Sequence, residues 1–242
     1  MNLINLKPNF RQRALAAALV SSAALFALSP AGAVTFSTPD GVAGQPRTST
    51  AGGASRGDRC LAGAEATAQI LPLLPNTQRV LTVADRPTFF VYVPPMTATI
   101  ASFSLQDATS EHYRTRVELP EQGGIVSVTL PEDAPELQLG KDYKWYFELH
   151  CVSELADPDN PTIEGVVYRM PVEADLARNL EQAHSPVEKA QAYGDAGVWY
   201  DALSTLALAR EARPQDSHLA ASWNELLASV GLENLAQAPL AD

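Results

Sequence analysis

Apolar and polar residues alternate strictly between Gly140 and Cys151. One set of alternate positions is aromatic or apolar throughout: Tyr143, Trp145, Phe147, Leu149 and Cys151. The other set is mostly polar: Lys144, Tyr146, Glu148 and His150. A repeat of two residues is the signature of a β-strand with one buried face. This segment therefore predicts a central strand with an aromatic inner face.

Shorter runs of the same kind predict further strands on both sides of the central one. They lie at residues 79–83, 88–93, 101–105, 113–119, 126–130 and 166–172, separated by Pro, Gly and Asp turns. Such a series, with no helical run between the strands, is typical of an antiparallel β-sandwich. In addition, the spacing of Leu137, Gly140 and Tyr143 matches a tyrosine corner of immunoglobulin-like sandwiches, in which the hydroxyl bonds back to the preceding turn.

The composition changes at about Glu173, after which Ala, Leu, Glu and Gln dominate and favour helices. Four helices are predicted, at residues 174–183, 186–195, 199–212 and 216–230. Asp216 is the expected N-cap of the last helix, which Gly231 ends. The sequence thus predicts an α+β chain that is mainly β: an immunoglobulin-like antiparallel sandwich over residues 54–173, then a small helical segment over residues 174–242.

The middle pair of predicted helices resembles a tetratricopeptide repeat. The residues at the seam, turn and end positions of that repeat are Tyr193, Gly197, Trp199, Ala202, Leu206, Ala209 and Pro214. At most one and a half repeats are present, too few for a free-standing solenoid, so the helices are expected to pack against the sandwich or a partner. Trp199, Tyr200 and Trp223 are the candidate partner-binding residues. The alternative is that these aromatic side chains fill the core and brace the sheet.

Residues 1–33 have the features of an export signal. Lys7, Arg11 and Arg13 precede an apolar run, and Ala31-Gly32-Ala33 provides a cleavage site for signal peptidase. The apolar run is too short for a permanent membrane span. A periplasmic or secreted location is therefore expected. Removing this segment, which carries three basic and no acidic residues, changes the net charge from −11 to −14, and this acidic balance argues against nucleic-acid binding.

Residues 34–53 are rich in Gly, Ser, Thr and Pro and predict a flexible linker. Arg56-Gly57-Asp58 follows, and we interpret it as a turn leading into Cys60 rather than as an adhesion motif. Cys60 and Cys151 are the two cysteines of the chain. Because an oxidising compartment favours pairing, a Cys60–Cys151 disulfide is predicted, with free thiols or a metal pair as alternatives.

Taken together, these segments resemble domain-of-unknown-function family 928 (DUF928), a mainly cyanobacterial family. The resemblance covers residues 52–238 and is carried by Arg56-Gly57 before Cys60, residues 87–95, residues 140–145 leading to Cys151, Gly165 with Arg169, residues 197–203, Arg210 and Pro214, and residues 223–227. It implies an exported protein of unassigned biochemical activity. It supplies no catalytic or binding residues.

The chemistry-bearing motifs of common enzymes are absent from the sequence. There is no GxSxG, no SxxK and no Gly-rich phosphate loop that opens a helix, so neither an enzyme nor a cofactor is predicted. Asp157 and Asp159 form the best candidate metal site, for calcium, although Asp is also an ordinary turn residue.

The expected function is that of an exported non-catalytic interaction or structural protein of the cell envelope, whose partner is an envelope or secreted protein. One alternative is a carbohydrate- or calcium-binding module, in which Phe90, Tyr92 and Tyr146 lie on the less buried faces of their strands. A hydrolase of unrecognised class is the other.

Overall fold

The elements described before residue 170 are all strands, and helices follow them. The computed structural model describes residues 33–39, 50–51, 69–151 and 160–241. Their elements, in chain order, are β1 (Thr50–Ala51), β2 (Leu71–Pro72), β3 (Leu81–Thr82), β4 (Thr88–Val93), β5 (Ile100–Gln106), β6 (Glu111–Glu118), β7 (Gly124–Thr129), β8 (Asp142–Leu149), β9 (Thr162–Arg169), α1 (Ala174–Gln182), α2 (Pro186–Asp195), α3 (Trp199–Ala212), α4 (Ser217–Ala228) and β10 (Leu240–Ala241).

The strands form two sheets. The first has the order β1-β9-β8-β5-β6, and β3 also pairs with β9; the second has the order β10-β7-β4-β2. The predicted central strand, β8, lies between β5 and β9 and is antiparallel to both. Of the pairings within the described residues, β3–β9 and β10–β7 are parallel. The predictions of a mixed α+β chain and a β-rich fold are confirmed.

The aromatic face of β8 lies in the core, as its alternation predicts. Tyr143, Trp145, Phe147 and Leu149 are each at most 2% exposed. The ring of Phe89, from β4 in the second sheet, lies 4.9 Å from the ring of Phe103 and 5.9 Å from that of Trp145. The inner faces of the two sheets therefore pack against each other.

The last long strand, β9, buries a face that its apolar alternation does not identify. Val166 and Tyr168 are half-buried, whereas Ile163, Gly165 and Val167 are buried. The cause is a contact between neighbouring strands. The Trp145 indole occupies the space that a Cβ at position 165 would need. The bare backbone of Gly165 thus makes room for the largest side chain of the central strand.

The predicted tyrosine hydrogen bond at the start of β8 is present. Gly140 has a φ of 74°, in the left-handed region that glycine tolerates best. The chain turns there, and the backbone N–H of Gln138 donates a 3.0 Å hydrogen bond to the Tyr143 hydroxyl. This bond fixes the loop that leads into the central strand.

The four helices end within two residues of their predicted limits. Ser185 and Glu188 form a capping box at the start of α2, and the Asp216 carboxylate accepts from two backbone N–H groups at the start of α4. Side chains from both sheets and from α2, α3 and α4 belong to one hydrophobic core, within the unit Gly32–Asp242. Among the described residues, no helix has the length and apolar character needed to cross a bilayer.

Part of the predicted flexible linker, residues 34–53, packs against the folded unit. Val34 is fully buried in the main core. The Phe36 ring lies edge-on to Trp199, with ring centroids 5.3 Å apart. Thr50–Ala51 pairs with β9. The prediction of flexibility is therefore wrong for residues 34–36, because the apolar side chains of Val34 and Phe36 pack against the core.

Candidate functional site

The first turn of α3 anchors this helix to strands of both sheets. The Trp199 indole N–H donates to the Leu73 carbonyl, just after β2, at 2.8 Å. The Tyr200 hydroxyl accepts from the Trp145 indole N–H at 2.9 Å and donates to the Val166 carbonyl at 2.9 Å. Burial raises the pKa of the Tyr200 hydroxyl far above its usual value. This hydroxyl is therefore a neutral bridge between β8 and β9.

Asp201 continues the same turn and is a buried carboxyl that sequence reasoning missed. Its Oδ2 accepts a 2.8 Å hydrogen bond from the Thr82 hydroxyl and a 3.2 Å bond from the backbone N–H of Val83. Burial raises the pKa of Asp201 to about 6, against the opposing effect of these hydrogen bonds. An acidic residue in a first helical turn is too common to reveal burial, so the sequence carried no signal for it.

Trp223, on α4, is also fully buried. The Arg210 guanidinium stacks over its ring, 5.0 Å from the centroid, and burial lowers the pKa of Arg210. The Trp223 indole N–H and Nη1 of Arg210 have no hydrogen-bond partner among the described residues. The two side chains form a cation–π contact between α3 and α4 rather than an open platform.

The three predicted partner-binding residues thus lie inside the protein. Trp199, Tyr200 and Trp223 are each at most 1% exposed, so in this conformation none of them presents a surface to a partner. Their contacts join helices to sheets and helix to helix. This placement favours the bracing alternative stated for these side chains.

The other predicted site residues are described only in part. Cys151 is half-buried just after β8 and packs against the core. Cys60, Asp157 and Asp159 lie outside the described residues, so the disulfide and the calcium site stay predictions; the same is true of residues 56–58. Over residues 33–39, 69–151 and 160–241, no group of three or more His, Cys, Asp or Glu side chains is placed to hold a metal ion.

The outer face of the first sheet carries half-buried polar and aromatic groups. The Ser102 hydroxyl lies 2.8 Å from His150 Nε2, and His150 Nδ1 is buried without a partner in the described part of the chain. Tyr146, on the same face, is half-buried.

In the second sheet, Tyr92 is half-buried but Phe90 is only 3% exposed. The expectation of an accessible Phe90 is therefore wrong, since core packing covers both faces of β4 at this residue.

The strand β6 forms one edge of the first sheet. Within the described residues it pairs with β5 alone. The backbone N–H of Leu119 donates to the Thr99 carbonyl across this pair at 2.9 Å. Because hydrogen-bonding direction alternates along an antiparallel strand, the N–H groups of Arg114, Arg116 and Glu118 point away from β5. These three residues are exposed, so β6 offers a row of accessible backbone groups.

The fold and these surfaces define a β-rich α+β protein whose helices are anchored into its sheets. The sequence profile of the family described as Domain of Unknown Function (DUF928) matches residues 51–240, which is most of the chain. The protein belongs to this family. No curated protein matches the chain.

Replacing Tyr200 with Phe tests the anchor at the start of α3. We expect Tyr200→Phe to lower the free energy of unfolding by about 2 kcal/mol, because it leaves a buried indole N–H without an acceptor. Tyr193→Phe, on the half-buried surface of α2, is the matched control and is expected to change it by less than about 0.5 kcal/mol. Urea unfolding measures both. Equal effects of the two substitutions would contradict the anchor.

Asp201 predicts a specific dependence of stability on pH. Because its pKa in the folded chain is raised to about 6, the folded state holds this proton more tightly than the unfolded state. The contribution of Asp201 to the free energy of unfolding is therefore largest at low pH. It falls by up to about 3 kcal/mol as pH rises from about 4 to 6. We expect Asp201→Asn to remove this decline, whereas Asp133→Asn, at an exposed turn, preserves it. Urea unfolding at several pH values makes the comparison, and an unchanged slope in Asp201→Asn would refute the assignment.

Proposed function

We propose that this protein is an exported, non-catalytic interaction protein of the cell envelope. In this proposal, an immunoglobulin-like sandwich fastened by the Cys60–Cys151 disulfide presents the β6 edge to an envelope or secreted partner. The tetratricopeptide-like helices α2 to α4 brace the sheets instead of docking the partner themselves. Cleavage of residues 1–33 would release the mature protein into the periplasm or the medium. The acidic balance of the chain and its export-like N-terminus support this assignment.

The accessible edge of β6 is the observation that carries the proposal. An edge strand of eight residues, Glu111–Glu118, exposes enough backbone to accept an extended segment as an additional strand. Natural proteins usually protect such edges with charges, which prevent indiscriminate pairing. Arg114, which is paired with Glu111, and Arg116 have this effect here. The Arg116 guanidinium also favours a segment that carries acidic side chains.

A pair of substitutions at Arg116 tests the edge without changing the core. Arg116→Pro removes both the charged side chain and an outward N–H, a change that edge strands tolerate, whereas Arg116→Ala removes the charged side chain but keeps that N–H. We expect wild type and Arg116→Ala to capture a stoichiometric partner from envelope extract. The affinity of Arg116→Pro for this partner is expected to be at least tenfold lower than that of Arg116→Ala. Thermal unfolding confirms that both variants are folded. Capture by Arg116→Pro at full affinity, or no partner for wild type, would count against the proposal.

A hydrolase is the second candidate, because the Ser102 hydroxyl and His150 Nε2 stand at the distance of a nucleophile and its base. A fluorophosphonate probe distinguishes the two functions. The interaction proposal expects no labelling of the folded protein, whereas labelling lost in Ser102→Ala would establish a reactive serine.

The carbohydrate-binding alternative rests on Tyr146, which lies opposite Ser104 and Glu164 on the neighbouring strands. A glycan array on which the protein binds no ligand would remove it.

A further inference from the structure

The residues that follow the predicted cleavage site form a short strap, residues 34–39, across the helices. The backbone N–H of Phe36 donates to the Ser229 hydroxyl at 3.0 Å. The next N–H, that of Ser37, donates to the Gly194 carbonyl at 2.9 Å. With the edge-on contact between Phe36 and Trp199, these bonds attach the strap to residues at the ends of α2 and α4 and at the start of α3.

The helix surface is shaped to the strap. At Gly194, in the last turn of α2, a Cβ would collide with the Thr35 carbonyl oxygen. At Gly197, which has a φ of 69°, a Cβ would overlap the ring of Pro39. Both glycines therefore allow the strap to approach the helix backbone more closely than any larger residue would permit.

The first residue of the strap has the most specific contact. The Val34 side chain is fully buried in the main core, whereas Ala33 is exposed. The backbone nitrogen of Val34 lies 3.1 Å from the carboxylate oxygen Oε2 of Glu225, on α4. A carboxylate thus faces the nitrogen atom that becomes the chain terminus if signal peptidase cuts after Ala33.

We propose that cleavage between Ala33 and Val34 creates an α-ammonium group and that Glu225 is its receptor. Hydrolysis breaks the Ala33–Val34 amide; water supplies the hydroxyl of the new Ala33 carboxyl group and a proton to the Val34 amine, which takes up a second proton at neutral pH. This inference rests on the export signal in the proposed function, and not on the β6 edge.

The interaction between the Val34 nitrogen and the Glu225 carboxylate becomes stronger after cleavage. An amide N–H and a carboxylate already form a hydrogen bond that is assisted by one charge. An ammonium in the same place adds the opposite charge and turns this bond into an ion pair. The burial of the Val34 side chain also sets the order of cleavage and docking. A peptidase must reach the bond next to Val34, so cleavage precedes docking of the strap.

The test begins with the full-length chain expressed in an exporting bacterium. Intact mass and N-terminal sequencing of the exported protein are expected to show Val34 as the first residue. The α-amine is then acetylated in denaturant at mildly acidic pH, where it reacts in preference to lysine, and the protein is refolded. Acetylation and Glu225→Gln are each expected to lower Tm by about 2–4 °C, and together by no more than either alone. Glu233→Gln, also exposed and acidic, is the matched control and leaves Tm unchanged.

A terminus at another residue, additive effects of acetylation and Glu225→Gln, or an equal effect of Glu233→Gln would each overturn the inference. The Glu225→Gln comparison needs no chemical modification, so an unchanged Tm in the processed Glu225→Gln protein would overturn the inference even if the acetylated protein fails to refold. Partner capture through β6 is measured separately, which makes failure of the terminal ion pair distinguishable from failure of the interaction proposal.

Discussion

The Tyr200 hydroxyl is held between an indole N–H of β8 and a backbone carbonyl of β9, inside the core that sheets and helices share. A buried hydroxyl must both donate and accept to avoid a large desolvation cost, so this bridge fixes the position of α3 relative to the first sheet. Trp199 and Asp201, on either side in the sequence, make the equivalent bonds to Leu73 and Thr82. Three consecutive residues thus set where the helical part of the chain sits.

Local patterns in the sequence predicted the elements well because their causes are local. The alternation from Tyr143 to Leu149 indicates a strand with one buried face. Asp216 and Gly231 indicate the start and the end of a helix. The tyrosine hydrogen bond to Gln138 was also predictable, since only five residues separate its partners. For elements of this kind, side-chain periodicity and backbone capping are sufficient information.

The features that sequence reasoning missed depend on distant partners. The buried face of β9 depends on the Trp145 indole that lies on Gly165. The buried Asp201 depends on Thr82, 119 positions away, whose hydroxyl donates to its carboxyl. The packing of Val34 and Phe36 requires helices from the far end of the chain. Aromatic residues at helical spacing, such as Trp199 and Trp223, suit a core and a docking surface equally, and only their tertiary contacts decide between these roles.

The second sheet is completed by β10, whose residues Leu240 and Ala241 follow all four helices and pair with β7 in parallel. Synthesis runs from the N-terminus, so this sheet lacks its outer strand until nearly the whole chain has left the ribosome. Val34 likewise can take its buried position beside α4 only after α4 has emerged. The strap at Val34 and the strand β10 therefore both complete the core only when the last helices are in place.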